Sequence, residues 1–338
     1  MTLLLLGGAL ILILISAEIF TNALEHLGER FRISEGVTGS IFAAVGTAMP
    51  ETMVPVVAIL SSAATQEVRE EVGVGAILGA PLMLSTIALF LVGLAAAWRR
   101  GWSGRLQPER GGLHRDLVWF LAAFSLSAVA IFVPHEHRLI RGVIALMLVG
   151  IYFLYLLLTL RASAKLVANG HATEAGHPLV LARLFGWAGV RDNPVVEVLQ
   201  LGLGLTGIVA GAHGFVAGIE DLSKTLGISP LVLSLLIIPL ATELPEKVNS
   251  VLWTLRGKDT LAFGNITGAM VFQGSLLPAL GILLTPWELR AEVAVGLVLT
   301  LLASAWVLVA LSRGTLRPYH FGVNGACYAV YILSVAVR

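Results

Sequence analysis

The sequence predicts an all-α polytopic membrane protein: ten transmembrane helices in two inverted five-helix repeats, with the second and seventh helices broken. Three observations carry this reading. The 338-residue chain is 57% hydrophobic and only 13% charged, whereas a soluble domain carries about 25% charged residues. Its apolar residues fall into ten stretches separated by polar punctuation. Two blocks of the first half also recur, in the same order, in the second.

A membrane crossing needs about 20 apolar residues, so the chain holds ten spans with short connections. They centre near Leu12, Ala48, Thr86, Phe124, Gly150, Thr206, Thr242, Val271, Leu299 and Tyr328. The first run, Thr2 to Leu24, has no basic flank and contains Glu18 and Asn22, so it reads as a retained helix and not as a cleaved signal peptide. The longer connections are Gly101 to Leu113 and Ser163 to Asn193. The second marks the seam, giving a first repeat over 1–162, a cytoplasmic linker over 163–193 and a second repeat over 194–338.

With the N-terminus outside, fifteen Lys and Arg residues fall on the cytoplasmic side, among them Arg99, Arg100, Arg105, Arg313 and Arg317. Six fall on the other side. The positive-inside rule then places both termini outside the cytoplasm of a cell (inner) membrane. The net charge of +1 offers no broad basic surface for nucleic acid. A single cysteine, Cys327, permits neither an intrachain disulfide nor a thiolate metal cage. The partners this leaves are inorganic cations and membrane lipid, and no feature points to an obligate protein partner.

The internal repeat locates the chemistry. Ile33-Ser34-Glu35-Gly36-Val37, ahead of Gly46-Thr47-Ala48-Met49-Pro50-Glu51, aligns with Ile228-Ser229-Pro230-Leu231-Val232 ahead of Ala241-Thr242-Glu243-Leu244-Pro245-Glu246 at a constant offset of 195. Farther on, Gly75-Ala76-Ile77-Leu78-Gly79-Ala80 aligns with Gly264-Asn265-Ile266-Thr267-Gly268-Ala269 at an offset of 189. Two ordered blocks point to duplication. An odd number of spans per copy inverts the second copy in the bilayer, and such repeats place a substrate site at their interface near the midplane.

Pro50 and Pro245 each fall within an apolar stretch, where proline removes a backbone donor and breaks the helix. Glu51 and Glu246 follow directly, at a depth where an unpaired carboxylate is costly. Their matching positions predict that they face each other across a polar cavity. Glu51, Glu246, Thr47 and Thr242 supply the carboxylate and hydroxyl oxygens that hard divalent cations prefer. The same carboxylates are able to take protons when no metal is bound, so one site is able to exchange a cation for protons by mutual exclusion.

Glu243 adds a third in-membrane carboxylate, and Lys247 lies four residues on, the favourable order for an internal ion pair. Lys247 either neutralises Glu243 or acts as a tethered cation. Gln273 and Asn265 are candidate neutral ligands whose first-half equivalents are Leu84 and Ala76, with Ser85 as a possible substitute. Gly75, Gly79, Gly264 and Gly268 have the spacing that lets membrane helices approach closely, and packing is their favoured role. Glu18 and His213, also 195 apart, read as packing groups first and as a proton relay second.

These motifs resemble the sodium/calcium exchanger family within the cation/calcium antiporter superfamily. The resemblance spans most of both halves and is strongest from Ala212 to Gln273. It implies ten helices in two inverted repeats, with ions held by residues of the second, third, seventh and eighth helices. Carried over by position, it makes Thr47, Glu51, Thr242 and Glu246 ligands, with Glu243 and Gln273 added from the lines that depart from the pattern. Ala48 stands where the family usually has serine, Glu243 takes the equivalent place in the seventh helix, and the third-helix pattern has become Gly79-Ala80-Pro81-Leu82-Met83-Leu84. Those departures favour proton over sodium coupling.

The function expected is secondary active antiport of calcium or a similar divalent cation against protons or sodium, by alternating access and without a cofactor. Channel-like or uniport permeation on the same scaffold is the main alternative, and a transport-dead relative is a third. No nucleophile motif, nucleotide loop or HExxH sequence accompanies the carboxylates, which argues against an enzyme.

Overall fold

The computed structural model describes residues 2–30, 49–60, 65–167, 178–189 and 191–336. Regular structure among them is helical, with one antiparallel bridge between Leu106 and Leu316. Among the described residues, seven stretches are long and apolar enough to cross a membrane: Leu4–Ala23, Gln66–Arg100, Arg110–Phe132, Arg138–Arg161, Pro194–Leu226, Asp259–Leu284 and Ala291–Ser312. Glu51–Leu60 and Pro230–Leu240 are shorter apolar helices. The centre expected for the second span, Ala48, lies outside the described residues.

The chain divides into two compact units, Met1–Thr65 with Leu156–Gly227, and Gln66–Tyr155 with Ile228–Arg338. In the first, helix α1 (Thr2–Arg30) lies along α8 (Pro194–Leu226), with α2 (Met49–Leu60) against α8 and the short α7 (Val180–Phe185) beside them. Local sequence sets the ends of α8. Asn193 caps its start by accepting from the amides of Val195 and Val196 at 3.0 and 3.1 Å, and Pro194 fits the first turn, where no amide partner is lost. The helix stops at Gly227, whose φ of 69° lies in the left-handed region and whose N–H donates to the Ser223 carbonyl at 2.9 Å.

Gly204, Gly207, Gly211, Gly214 and Gly218 form a stripe along α8 facing α1. A Cβ at Gly204 would lie 2.8 Å from the backbone nitrogen of Phe20, and one at Gly207 would overlap the Ser16 side chain. Small residues at alternating spacings of three and four let two helices pack through backbone contact where lipid removes the usual hydrophobic drive. Ala17, Phe20 and Ile208 form the core of this contact, with Met53 of α2 packed on it.

In the second unit, α3 (Gln66–Met83) continues through a π-helical turn, Leu84–Ala88, into α4 (Leu89–Arg100). Pro81 lies within α3, three residues before that wider turn, and leaves the Ile77 carbonyl without its helical donor. Next come α5 (Arg110–Val129) and α6 (Arg138–Val167), the second of which runs past the unit's Tyr155 limit. The pair α9 (Pro230–Thr242) and α10 (Leu244–Leu255) follows, then α11 (Asp259–Gln273), α12 (Leu276–Leu284), α13 (Ala291–Ser312) and α14 (Gly322–Ala336). Gly75 and Gly79 press α3 onto α9, where a Cβ would fall 2.8 Å from the Leu231 carbonyl and 2.5 Å from that of Leu235. Their repeat mates differ: Gly264 has open space among the described residues and Gly268 only an ordinary contact with Tyr155.

Helix C-termini in this unit are closed by arginines, as the orphan carbonyls and the negative dipole end require. Arg141 is buried and donates to the carbonyls of Ile282, Thr285 and Pro286 beyond α12. Arg110 donates to Leu311 at the end of α13 at 2.6 Å, and Arg99 donates to Leu255 at the end of α10.

The glycine stripe gives a paired test on one helix. Gly204→Ala is expected to lower the thermal stability of the purified protein by about 1–3 kcal/mol through overpacking. Gly202→Ala, exposed and with nothing within 4 Å, should leave it unchanged or slightly raised. Equal melting curves would show that the close approach carries no energy.

Candidate cation site

The site of the second unit is built on the gap between α9 and α10. Thr242 ends one helix, Leu244 begins the next, and Glu243 between them has φ −85° and ψ 7°. Pro245 opens the gap, because it has no N–H for the Ala241 carbonyl; Pro239 lies within α9 and leaves the Leu235 carbonyl without that partner. The chain therefore presents carbonyls at the end of α9 and amides at the start of α10, deep in an apolar region.

Three side chains converge on this gap. Glu243 is fully buried and Glu246 is 7% exposed, and the pair brings carboxylate oxygens within 4.8 Å of each other. Gln273, the last residue of α11, donates from Nε2 to Glu243 Oε1 at 2.6 Å. Glu243 Oε2, Glu246 Oε2 and Gln273 Oε1 are buried and accept no hydrogen bond among the described residues. Two carboxylates and an amide oxygen left without donors are costly in a dry interior, and hard cations bind through such oxygens. Thr242 is buried beside them and donates its hydroxyl back to the Ile238 carbonyl at 3.1 Å, leaving its oxygen lone pairs available.

Lys247 does not form the ion pair that its spacing from Glu243 favours. Its buried Nζ donates to the carbonyls of Pro239 and Leu240, both at 3.1 Å, and touches Met83 Sδ at 3.0 Å. Asn265 braces α10 against α11, donating to the Glu246 carbonyl and to Ser250 Oγ at 3.1 and 3.0 Å. Ser85 turns back to the Leu82 carbonyl within the π-helical turn.

In the first unit, Glu51 is buried in the opening turn of α2. At the 195-residue offset Pro50-Glu51 of α2 corresponds to Pro245-Glu246 of α10, and both pairs lie on helical backbone. Thr47 lies outside the described residues. Glu18 is exposed, which does not fit the packing role expected for it, and the His213 ring engages the Val209 carbonyl of its own helix at 2.9 Å.

Sequence reasoning missed Asp116. It is buried on α5, accepting from Tyr155 Oη at 3.0 Å and from Thr267 Oγ1 at 2.8 Å. Helical periodicity marks it, since Leu113, Asp116, Leu117 and Phe120 share the buried face of α5. Two ion pairs at the outer ends of the broken helix were also missed. Arg100 forms two 2.7 Å bonds to Asp259, and Arg290 pairs with Glu71, whose carboxylate also accepts from the Leu231 amide at 3.3 Å.

A family model described as sodium/calcium exchanger protein matches residues 1–161 and 196–338. Among curated relatives, CaxA of Alkalimonas amylolytica is 26% identical, over 91% of this chain and 89% of that protein. Inner membrane protein YrbG of Escherichia coli (strain K12) is 28% identical, over 83% of this chain and 79% of that protein. Among solved structures, an H+/Ca2+ exchanger CAX superposes with a TM-score of 0.72 at 16% identity, covering 98% of this chain and 82% of that one. The sodium-calcium exchanger NCX_Mj superposes at 0.56 and 19% identity, covering 99% and 98%.

Gln273 supplies the hydrogen bond to Glu243, so Gln273→Leu is expected to lower stability in metal-free detergent by about 1–3 kcal/mol, the cost of stranding a buried acceptor. Saturating divalent cation should recover part of that loss by binding the folded state. Unchanged melting in both conditions would show that Gln273 contributes nothing to the site.

Proposed function

Because this chain belongs to the sodium/calcium exchanger protein family, we propose that it exchanges calcium or a similar divalent cation for protons or sodium by alternating access around Glu243 and Glu246. It is a secondary active cation antiporter and a multi-pass inner-membrane protein, not an enzyme. The observation that carries the site is the set of three buried oxygens, Glu243 Oε2, Glu246 Oε2 and Gln273 Oε1, that accept no hydrogen bond among the described residues. A dehydrated cation is the partner that satisfies all three at once. The printed names of solved relatives, an H+/Ca2+ exchanger and a sodium-calcium exchanger, support calcium as the substrate and protons or sodium as the counter-ion.

Glu51 is assigned to the same ion, with Thr47 and Thr242 as hydroxyl ligands. The support is the 195-residue repeat, which gives Glu51 the same place after a proline as Glu246, and the helical backbone on which both residues lie. The repeat also supports ten helices in two inverted halves, over 1–162 and 194–338, joined by a linker over 163–193. The excess of basic residues in alternate connections supports termini on the non-cytoplasmic side.

Reconstituted vesicles test the reading. Calcium uptake should require an outward-directed proton or sodium gradient and reverse when that gradient reverses. Glu246→Gln and Glu51→Gln should each reduce coupled uptake at least about a hundredfold, the size expected when a buried ligand charge worth about 3 kcal/mol is lost. Uptake that follows the calcium gradient alone would instead identify a uniporter, and near-normal exchange in either variant would remove that residue from the site.

A further inference from the structure

A second cavity lies in the second unit, at the C-terminal end of α13. It holds about 430 Å³ and is lined by Trp306, Val309, Arg313, Arg317, Tyr319 and His320. That volume falls within the range of about 300–1,000 Å³ common to ligand sites. The last turns of α13, the short loop after it and the 3-10 turn Pro318–Phe321 form its walls. These walls are fixed from behind. The Leu106 N–H donates to the Leu316 carbonyl at 2.9 Å, and Phe321 is buried against α4, where a Cβ at Gly93 would fall 2.6 Å from its own. Trp306 Nε1 donates to the His320 carbonyl at 2.7 Å and so ties the helix to the turn.

The lining is cationic. Among the described residues, no carboxylate lines the cavity and none forms an ion pair with Arg313 or Arg317. The Arg317 N–H donates to His320 Nδ1 at 3.0 Å, which leaves the ring proton on Nε2 as a further donor. The C-terminal carbonyls of α13 would repel an anion, but they are covered: Arg110 donates to Leu311 at 2.6 Å, and the amides of Arg313 and Gly314 donate to Val309 and Leu311. Guanidinium groups hold phosphate oxygens through paired N–H bonds, and basic pockets between membrane helices bind anionic head groups.

An apolar track leads into the same cavity. Val298, Leu302 and Val309 are exposed on α13, with the half-buried Trp306 between them. They stand four, eight and eleven residues along from Val298 when Trp306 is included, a spacing that puts all four on one helix face. Tyr319, half exposed beside it, is the ring type that sits at head-group depth. Inorganic phosphate shares the head group's chemistry but makes no use of the track, whereas an acyl chain does.

We propose that this cavity binds the phosphate head group of an anionic membrane phospholipid through Arg313 and Arg317, with an acyl chain lying along Val298 and Leu302.

Native mass spectrometry of the purified full chain in detergent, titrated separately with dioleoylphosphatidylglycerol, dioleoylphosphatidylcholine and inorganic phosphate, tests this assignment. The first phosphatidylglycerol is expected to bind at least about tenfold more tightly than phosphatidylcholine, and inorganic phosphate should neither bind nor displace it. Arg313→Gln and Arg317→Gln should each weaken that first lipid at least about fivefold, the weight of one basic side chain at an anionic lipid. Arg105→Gln removes the same charge from an exposed position outside the cavity and should leave the affinity unchanged. Equal binding of the two lipids overturns the proposal. So does an equal loss in Arg105→Gln, which would show diffuse attraction to a basic surface, and so does displacement by inorganic phosphate, which would make the ligand a soluble anion. If Arg317→Gln does not fold, Arg313→Gln, changed at an exposed position, decides alone, and an unsubstituted affinity there overturns the site.

Discussion

A helix interrupted inside a lipid-facing protein exposes backbone groups that water cannot reach, and each must find a partner within the protein. The gap at Glu243 creates four helix ends where an unbroken span has two. Each of the four carries a charge of the sign its dipole calls for. Glu71 accepts from the Leu231 amide at the start of α9, and Lys247 donates to the Pro239 and Leu240 carbonyls at its end. Glu246 lies in the first turn of α10, and Arg99 donates to Leu255 at its last. Such placements contribute about 0.3–1 kcal/mol each at a surface and up to about 2 kcal/mol when partly buried.

The outer ends are held more firmly than the gap. Arg100 grips Asp259 with two bonds of 2.7 Å, and Arg290 pairs with Glu71. Gly75 and Gly79 bring α3 into backbone contact with α9. At the centre the accounting differs, because Glu243, Glu246 and Gln273 each keep a buried oxygen without a donor. Unsatisfied groups of this kind persist only where the surrounding structure over-determines their positions. The anchors fix the geometry of these oxygens, on which the proposed cation site rests.

The parts of this arrangement that duplication wrote twice were readable from the sequence. Pro245 and Glu246 stood out because Pro50 and Glu51 repeat them at the 195-residue offset. The partners of Lys247 were not readable. Spacing along one helix reports neighbours three and four residues away, which favoured Glu243, while the carbonyls it reaches, Pro239 and Leu240, belong to the preceding helix. Asp116 was hidden for another reason. It follows Arg115 near a basic connection, so it reads as an interfacial residue, although its place on the apolar face of α5 commits it to Tyr155 and Thr267.

The repeat is kept where the backbone demands it and abandoned where an ion is selected. Proline and the following glutamate recur because they make the gap and charge it. Around that frame the second half holds Glu243, Lys247, Asn265 and Gln273 against Ala48, Thr52, Ala76 and Leu84 in the first. Each of these second-half residues has a partner that a small or apolar residue does not supply: the α9 carbonyls for Lys247, α10 for Asn265, and each other for Glu243 and Gln273. The side chains that depart from the repeat, and the contacts they make, are thus concentrated in the second half around Glu243.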